Sequence, residues 1–171
     1  MLTGRLCRLR PYVKEDAGAL AAVANDLDVA RWMTRRFPHP YELRDADEWI
    51  ATAISGAHGE FFAIDVEGTV AGGIGMEPLD GERAGTALFG YWLGRAYWGR
   101  GIATEAARML ADVALRQGQL RRLQATVFEP NVASAKVLVK CGFSLEGRSP
   151  QLYLDRNDVV CDGLVFGRTR V

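Results

Sequence analysis

A short turn containing two glycines, followed by a helical stretch, is the segment of this sequence best suited to chemistry. Gly99 and Gly101 come directly before apolar residues with helical spacing that begin at Ile102. The first turn of a helix leaves about four backbone N–H groups without intrahelical partners, and its dipole makes that end partly positive. Glycine has no Cβ, so phosphate oxygens can approach its backbone closely. The spacing predicts a pyrophosphate site; the alternative is a turn that only starts a helix.

Two common phosphate-binding motifs are excluded by the residues around this turn. A P-loop needs Gly-Lys-Ser or Gly-Lys-Thr, and the sequence contains neither. A dinucleotide-binding fingerprint needs a third glycine three residues after Gly101, where Thr104 stands. The turn therefore indicates a phosphate ligand that is bound in another way.

Further along the chain, Pro130 ends a strand pattern and a second helix begins with polar residues. Asn131 is a typical helix N-cap, which is worth about 1 kcal/mol. Ser134 lies one helical turn further along on nearly the same face. By residue type alone, Ser134 is a solvated hydroxyl.

Together the two segments resemble the Gcn5-related N-acetyltransferase (GNAT) superfamily. Gly99 and Gly101 match the glycines of its acetyl-coenzyme A loop, although Ala96 replaces the opening Gln or Arg. The second segment is similar to the branch that acetylates the N-termini of ribosomal proteins, the RimJ/RimL type. The residues that carry this likeness are Asn131, Ser134, Lys140, Gly142 and Phe143. The resemblance extends over nearly the whole chain.

The resemblance implies an α/β GNAT fold, with a mixed, mostly antiparallel sheet flanked by helices. It also implies that the sheet is splayed between the fourth and fifth strands, with the pantetheine arm in the gap. No linker, repeat or low-complexity run interrupts the sequence, which predicts a single N-acetyltransferase domain over residues 1–171.

The coenzyme-binding residues follow from the resemblance. Backbone groups of Trp92 and Leu93 are expected to pair with the pantetheine, and the amides of residues 98–104 to bind the pyrophosphate. Arg100 is a partner for phosphate or adenine, whereas Lys140 is assigned to the dipole of its own helix. The full predicted set is Trp92, Leu93, Trp98, Gly99, Arg100, Gly101, Ile102, Ala103, Thr104, Asn131 and Ser134.

The resemblance implies catalysis by direct attack of an amine on the thioester, which needs a neutral amine and a proton for the departing thiolate. The predicted catalytic residues are Ser134, Asn131 and Glu129. Family members often carry a Glu on the strand before the loop, but that strand here contains Leu88, Phe89 and Tyr91. Glu77 and Glu129 are candidate substitutes, and a water relay is the alternative. Tyr153 is a proton donor by residue type only, and a buried sheet tyrosine is the simpler interpretation.

The predicted function is acetyl transfer from acetyl-coenzyme A to a primary amine, with the N-terminal α-amine of a protein or peptide favoured. The alternatives are a small-molecule amine or polyamine as acceptor, or a non-catalytic acyl-coenzyme A-binding domain. The segment expected to overhang the acceptor cleft contains Trp32, Arg35, Arg36, His39 and Tyr41.

Composition restricts the remaining classes of function. The chain has 21 Lys plus Arg and 21 Asp plus Glu, a formal net charge of +0, which disfavours nucleic acid and anionic membrane as partners. No stretch approaches the roughly 20 apolar residues that span a bilayer, and the first residues lack an apolar signal core, so a cytoplasmic location is expected. Cys7, Cys141 and Cys161 have no paired spacing, which predicts no disulfide framework and no metal site. The oligomeric state, a homodimer included, is left open.

Periodicity predicts the elements that must position these residues. Their order is a strand, helices, a three-strand meander, a helix, a strand, a helix and a hairpin. Glu67-Gly68 is expected to form a tight hairpin turn, and Gly118 to end the helix after the glycine turn. The predicted strands are 6–9, 61–66, 69–76, 85–93, 123–128, 147–154 and 159–166, and the predicted helices are 12–25, 27–33, 44–54, 102–117 and 132–141.

Overall fold

A computed structural model describes residues 1–117 and 120–170, and within them an eight-stranded sheet is flanked by helices. The strands are β1 Leu2–Thr3, β2 Arg8–Arg10, β3 Glu60–Val66, β4 Thr69–Pro78, β5 Thr86–Leu93, β6 Arg122–Phe128, β7 Ser144–Leu154 and β8 Val160–Thr169. The helices are α1 Ala17–Ala24, α2 Leu27–Ala30, α3 Leu43–Ser55, α4 Ile102–Arg116 and α5 Val132–Lys140. The predicted helix end at Gly118 lies outside the described residues.

The strands lie in the order β1-β2-β3-β4-β5-β6-β8-β7. All neighbouring strands are antiparallel except β5 and β6, which are parallel. β5 pairs with β4 along residues 87–93, but it pairs with β6 only along residues 86–88. The mixed, mostly antiparallel sheet is confirmed, and the splay expected between the fourth and fifth predicted strands is the gap between β5 and β6.

Each face of the sheet is covered by helices with an apolar stripe. On one face, α4 buries residues spaced by a helical turn, including Ile102, Ala106 and Leu110, against side chains such as Phe89. On the other face, α1 and α3 form a second cluster through Leu20 and Ile50. The strands are therefore held from both sides up to the edge of the β5–β6 gap.

The predicted tight turn at Glu67-Gly68 is confirmed, with φ of 53° and 86° at the two residues. The predicted helix 12–25 is shorter, because a 3-10 turn at Lys14–Asp16 precedes α1. The predicted helix 27–33 is α2, which ends at Ala30. The Ala30 carbonyl accepts hydrogen bonds from Met33 N–H at 3.0 Å and from Arg156 Nε at 2.7 Å, so a tight turn and a distant side chain take the place of the next helical bond.

None of the helices in the described part of the chain is long and apolar enough to cross a membrane. Over the same residues, no group of three or more His, Cys, Asp or Glu side chains is arranged to hold a metal ion.

Candidate active site

The first wall of the β5–β6 gap is the free side of β5. Successive residues of a strand point their backbone groups to opposite sides. Gly94 N–H donates to the Ala71 carbonyl at 2.8 Å, so even-numbered residues here face β4. Phe89, Tyr91 and Leu93 therefore turn their N–H and C=O groups into the gap. These groups can pair with the amides of an extended ligand.

Because of this alternation, the two strand residues that were predicted to bind the coenzyme face opposite sides of β5. Trp92 lies opposite Gly73 in the β4–β5 ladder and turns its backbone toward β4, whereas Leu93 faces the gap. The Leu93 carbonyl also accepts a hydrogen bond from Trp98 Nε1 at 2.6 Å. The Trp98 side chain is thus fixed to the end of β5, where the loop to α4 begins.

The second wall is β6. Glu129 N–H donates to the Asp162 carbonyl at 2.9 Å, so the odd-numbered residues of β6 face β8 and the even-numbered ones face the gap. Thr126 and Phe128 are the gap-facing residues at this end. The Phe128 carbonyl is already taken by Asn131 N–H at 2.8 Å, which forms the turn into α5.

The glycine turn lies at the open end of the gap. Gly99 and Gly101 have φ of +72° and +81°, a conformation that favours glycine, and Gly101 is the N-cap of α4. A Cβ placed on Gly99 meets no atom within 4 Å. The first helical hydrogen bond runs from Glu105 N–H to the Gly101 carbonyl, at 3.0 Å. The amides of residues 101–104 therefore precede that bond and have no partner within the helix.

The gap and the turn together fit the shape and chemistry of acetyl-coenzyme A. Two strand edges with unpaired amides suit the amide-containing pantetheine arm, and an open, partly positive helix end suits a pyrophosphate. The side chain of Arg100 is exposed beside this turn, with its guanidinium carbon 5.7 Å from the centre of the Tyr97 ring.

The start of α5 brings Asn131 and Ser134 to the gap. Asn131 Oδ1 accepts a hydrogen bond from Ser134 N–H at 3.2 Å, so the predicted N-cap is confirmed. The side-chain NH2 of Asn131 donates no hydrogen bond to the residues of this helix, so it remains available to a ligand. Ser134 is half-buried rather than fully solvated.

Tyr91 is the functional candidate that sequence reasoning missed. Its hydroxyl lies 2.9 Å from Ser134 Oγ and 3.0 Å from the Ser134 carbonyl oxygen. Burial raises the pKa of Tyr91 well above its ordinary value, despite the opposing effect of the Ser134 hydrogen bond. Tyr91 is therefore a neutral proton donor at physiological pH. When it donates to Ser134 Oγ, the Ser134 hydroxyl proton is available to a thiolate in the gap.

Neither of the two candidate carboxylates is hydrogen-bonded to this hydroxyl pair. Glu129 binds Arg148 at 3.1 Å, and Arg148 also binds Asp162 at 2.6 Å. Glu77 lies opposite Leu88 in the β4–β5 ladder, three strand positions away from Tyr91. Neither position supplies the strand carboxylate that family members often carry next to the loop.

The loop of residues 31–37 contains Trp32, Arg35 and Arg36, which were predicted to overhang the acceptor cleft. It meets the loop of residues 155–158, and we call the two loops the loop pair. Arg156 joins them by donating to the carbonyl oxygens of Ala30 and Phe37. Arg35 adds an ion pair to Asp158 at 2.5 Å. The loop pair therefore depends on arginine side chains rather than on strand pairing.

An aromatic stack lies beneath the loop pair. The rings of Phe128 and Tyr153 are stacked with centroids 4.2 Å apart, and the Trp32 ring lies 6.1 Å from Phe128. Tyr153 is half-buried and belongs to this stack. Tyr41, predicted to overhang the cleft, is instead buried in the core with 6% of its surface exposed. The surface beneath the loop pair is thus apolar.

Comparison with known proteins places these features in a family. A model described as an acetyltransferase (GNAT) domain matches residues 6–144. The chain is 34% identical over 142 residues to the uncharacterized N-acetyltransferase p20 of Bacillus licheniformis, and the match covers 81% of this chain and 79% of that relative.

Solved structures show the same fold. The microcin C7 self-immunity acetyltransferase MccE, in complex with acetyl-CoA and AMP, has a TM-score of 0.86 at 22% identity and covers 97% of this chain and 93% of its own. RimL, the ribosomal L7/L12 α-N-protein acetyltransferase in complex with coenzyme A, has a TM-score of 0.85 at 19% identity, with 97% and 95% covered.

Proposed function

The chain belongs to the GNAT family of acetyl-coenzyme A-dependent N-acetyltransferases, and from this premise we propose that its acceptor is the N-terminal α-amine of a protein or peptide. The observation that carries the proposal is the lack of a strand carboxylate that could act as the general base. β5 contains no Asp or Glu, and the carboxylate of Glu129 forms an ion pair with Arg148. An acceptor that is already partly neutral suits such a site, and an α-amine has an unperturbed pKa near 8.

The residues of the gap supply the rest of the chemistry. The thioester carbonyl is activated by backbone N–H groups at the wall of the gap, and the amine attacks it directly. Ser134 then gives its proton to the departing thiolate, Tyr91 replaces that proton across their 2.9 Å contact, and the proton that the attacking amine loses returns to Tyr91. Asn131 holds the first turn of α5 and thereby orients Ser134.

The charges on the acceptor side argue against a polyamine. The carboxylates of Glu129, Asp162 and Asp158 are each paired with an arginine. A polycationic acceptor would need several of these carboxylates unpaired. A peptide backbone with a single terminal amine has no such requirement, and its apolar side chains suit the stack of Trp32, Phe128 and Tyr153.

The test uses two peptides of the same sequence. One has a free N-terminus and an acetylated lysine, and the other has an acetylated N-terminus and a free lysine. At pH 7 the neutral fraction of the α-amine exceeds that of lysine roughly a hundredfold, so kcat/KM for thiol release should favour the first peptide by a factor of that order. The preference should narrow between about pH 8 and pH 10, because only the lysine still gains neutral amine.

Other results of the acceptor assays would assign a different function to the protein. Faster acetylation of the lysine peptide would overturn the proposal. Turnover of spermidine or of a small amine, with neither peptide used, would assign the enzyme to a small-molecule acceptor. Coenzyme binding without thiol release for any amine would identify a non-catalytic acyl-coenzyme A-binding domain.

A further inference from the structure

A hollow in the sheet surface lies at the point where β5 and β6 separate. Gly90 forms its floor: this residue is exposed, and a Cβ placed on it meets no atom within 4 Å. The pairing of β5 with β6 ends at Leu88, so the gap opens directly beside Gly90. We call this space, with Gly90 as its floor, the glycine hollow.

The neighbours of Gly90 show which face of the sheet carries the glycine hollow. Alternate residues of a strand point to the same face, so Gly90 shares its face with Leu88 and Trp92. The centre of the Trp92 ring lies 5.2 Å from that of Phe37, which belongs to the loop pair. Tyr91 points to the opposite face, where its hydroxyl is part of the hydroxyl pair. The glycine hollow therefore opens toward the loop pair.

Three apolar side chains enclose the glycine hollow. Leu88 and Trp92 stand at its two ends, with Cα atoms about 13 Å apart, the rise of four strand residues. On the side of β4, Gly75 lies opposite Gly90, and the Phe61 ring covers Gly75 so closely that a Cβ there would collide with it. The fourth side is the gap itself. The glycine hollow thus has room for one side chain, is apolar and is open toward the gap.

One carboxylate stands at the edge of the glycine hollow. Glu77 lies opposite Leu88 in the β4–β5 ladder, so it is on the same face and diagonal to Gly90. Glu77 is half-buried, and none of the ion pairs within residues 1–117 and 120–170 includes it. An acidic side chain in the hollow would lose water next to a like charge, whereas an apolar one would not.

We propose that the glycine hollow binds the side chain of the acceptor's first residue and selects chains that begin with an apolar residue of about the size of leucine or methionine. This inference rests on the proposed function and names the class of its acceptor. In an N-terminal residue the side chain is attached to the same carbon as the attacking nitrogen. When the amine reaches a thioester beside Tyr91, that side chain therefore lies at the mouth of the gap. The ε-amine of lysine has no branch at this carbon and leaves the hollow empty.

The experiment measures kcat/KM for synthetic peptides that differ only in their first residue, which is Gly, Leu or Glu, with every lysine acetylated. The intact protein should use the Leu peptide at least about tenfold better than the Gly peptide, because apolar groups that fill a fitted pocket discriminate on this scale. The Glu peptide should be slower than the Gly peptide, because of Glu77.

Gly90→Val fills the glycine hollow and tests its role directly. Gly90 and Gly147 are both exposed strand residues without a positive φ, and a Cβ placed on either meets no atom within 4 Å. In Gly90→Val the ratio of the Leu peptide to the Gly peptide should fall toward one. Coenzyme affinity should be retained, because the backbone groups of Gly90 face β4. Gly147→Val, on β7, is the matched control and should leave the ratio unchanged.

Equal kcat/KM values for the Leu and Gly peptides in the intact protein would overturn the proposal, as would a preserved ratio in a folded Gly90→Val variant. If that variant does not fold or does not bind the coenzyme, Leu88→Ala decides the matter. This change lengthens the hollow and should raise the ratio of a Phe peptide to the Leu peptide at least about threefold, and an unchanged ratio would contradict the proposal. Thiol release with lysine or small amines, but with no free N-terminus, would overturn the proposed function itself and this inference with it.

Discussion

The two sides of the proposed active site are built by different means: the coenzyme side is the gap with the glycine turn, and the acceptor side is the loop pair with its aromatic stack. The coenzyme side consists mainly of backbone groups, supplied by residues 89–104 and by the opposite edge of β6. The acceptor side consists of side chains from segments far apart in the chain, and Arg156 reaches Ala30 across 126 positions. One side is thus defined by local backbone conformation and the other by tertiary contacts.

This difference explains which departures from the family pattern matter. Ala96 replaces a Gln or Arg that family members carry, yet the amides of the turn are unaffected because every residue provides an N–H. On the acceptor side, two arginines, Arg35 and Arg156, hold two loops together. We therefore expect a substitution on the coenzyme side to affect only the residues next to it. A substitution on the acceptor side should also affect segments that are far away in the sequence.

The largest expected effect concerns the hydroxyl pair where the two sides meet. Ser134→Ala should lower kcat about a hundredfold, as the loss of a positioned proton donor does, and leave coenzyme affinity unchanged. Tyr91→Phe should have a similar effect, and the double variant should be no worse than either single one, because the two residues form one relay. Steady-state kinetics and calorimetry measure both quantities.

The matched control for this pair is Ser144→Ala, which removes an exposed hydroxyl at the start of β7. An unchanged kcat in Ser134→Ala, with chemistry as the slow step, would leave Ser134 only a structural part. Additive losses in the double variant would mean that Tyr91 and Ser134 act separately.

The next effect tests the backbone character of the coenzyme side. Gly101→Val should weaken coenzyme binding about tenfold or more, because a branched side chain would stand where a phosphate must approach the backbone. The strain of a left-handed residue with a Cβ, roughly 1–2 kcal/mol, acts on stability. Gly56→Val is the control, since Gly56 has a comparable left-handed conformation and open surroundings at the end of α3. The control should lose stability without losing affinity.

An equal coenzyme affinity in the folded Gly101→Val variant would place the pyrophosphate elsewhere. Equal losses of affinity in both variants would show that strain anywhere in the fold, rather than this turn, is being measured.

The two sides also differ in how far the sequence predicts them. The glycine turn, the N-cap at Asn131 and the strands around the gap have local signals, and the structure confirms these elements. The alternation that turns Trp92 away from the gap depends on the register with β4, which one strand does not reveal. In the sequence, Tyr91 is an ordinary strand residue, because its contact with Ser134 arises only when α5 packs opposite β5. The loop pair depends on Arg156, which no local pattern connects with Ala30.

A smaller effect is expected on the acceptor side. Arg156→Ala should raise the KM for the peptide about fivefold, close to 1 kcal/mol, by separating the loop pair. Coenzyme affinity should not change, since the gap is built without this arginine. Arg44→Ala, on the surface of α3, is the control. A parallel change in coenzyme affinity would contradict the independence of the two sides.

The smallest effect concerns the attachment of the N-terminal segment to α4. Although burial opposes ionisation, hydrogen bonds from the backbone N–H groups of residues 5, 6 and 7 hold the folded pKa of Glu105 below its unfolded value. Its stabilisation is therefore present above about pH 4.3 and is lost as pH falls through the folded pKa. Glu105→Gln should lower Tm by about 4 °C at pH 7, corresponding to about 1–2 kcal/mol, and the difference should shrink near pH 3.

Thermal unfolding at both pH values measures this effect, with Glu48→Gln on α3 as the control. A difference in Tm that stays constant down to pH 3 would show that the charge of Glu105 is not what holds the segment.

The gap between β5 and β6 has a consequence for the abundance of the protein. Unpaired strand edges are also where other extended chains can attach. A coenzyme that occupies them acts as a folding ligand, and at a free concentration of about one hundred times its Kd it adds about 2.7 kcal/mol to the free energy of unfolding. A cell that runs short of acetyl-coenzyme A would then degrade this protein faster, so its steady-state level should follow the supply of the coenzyme.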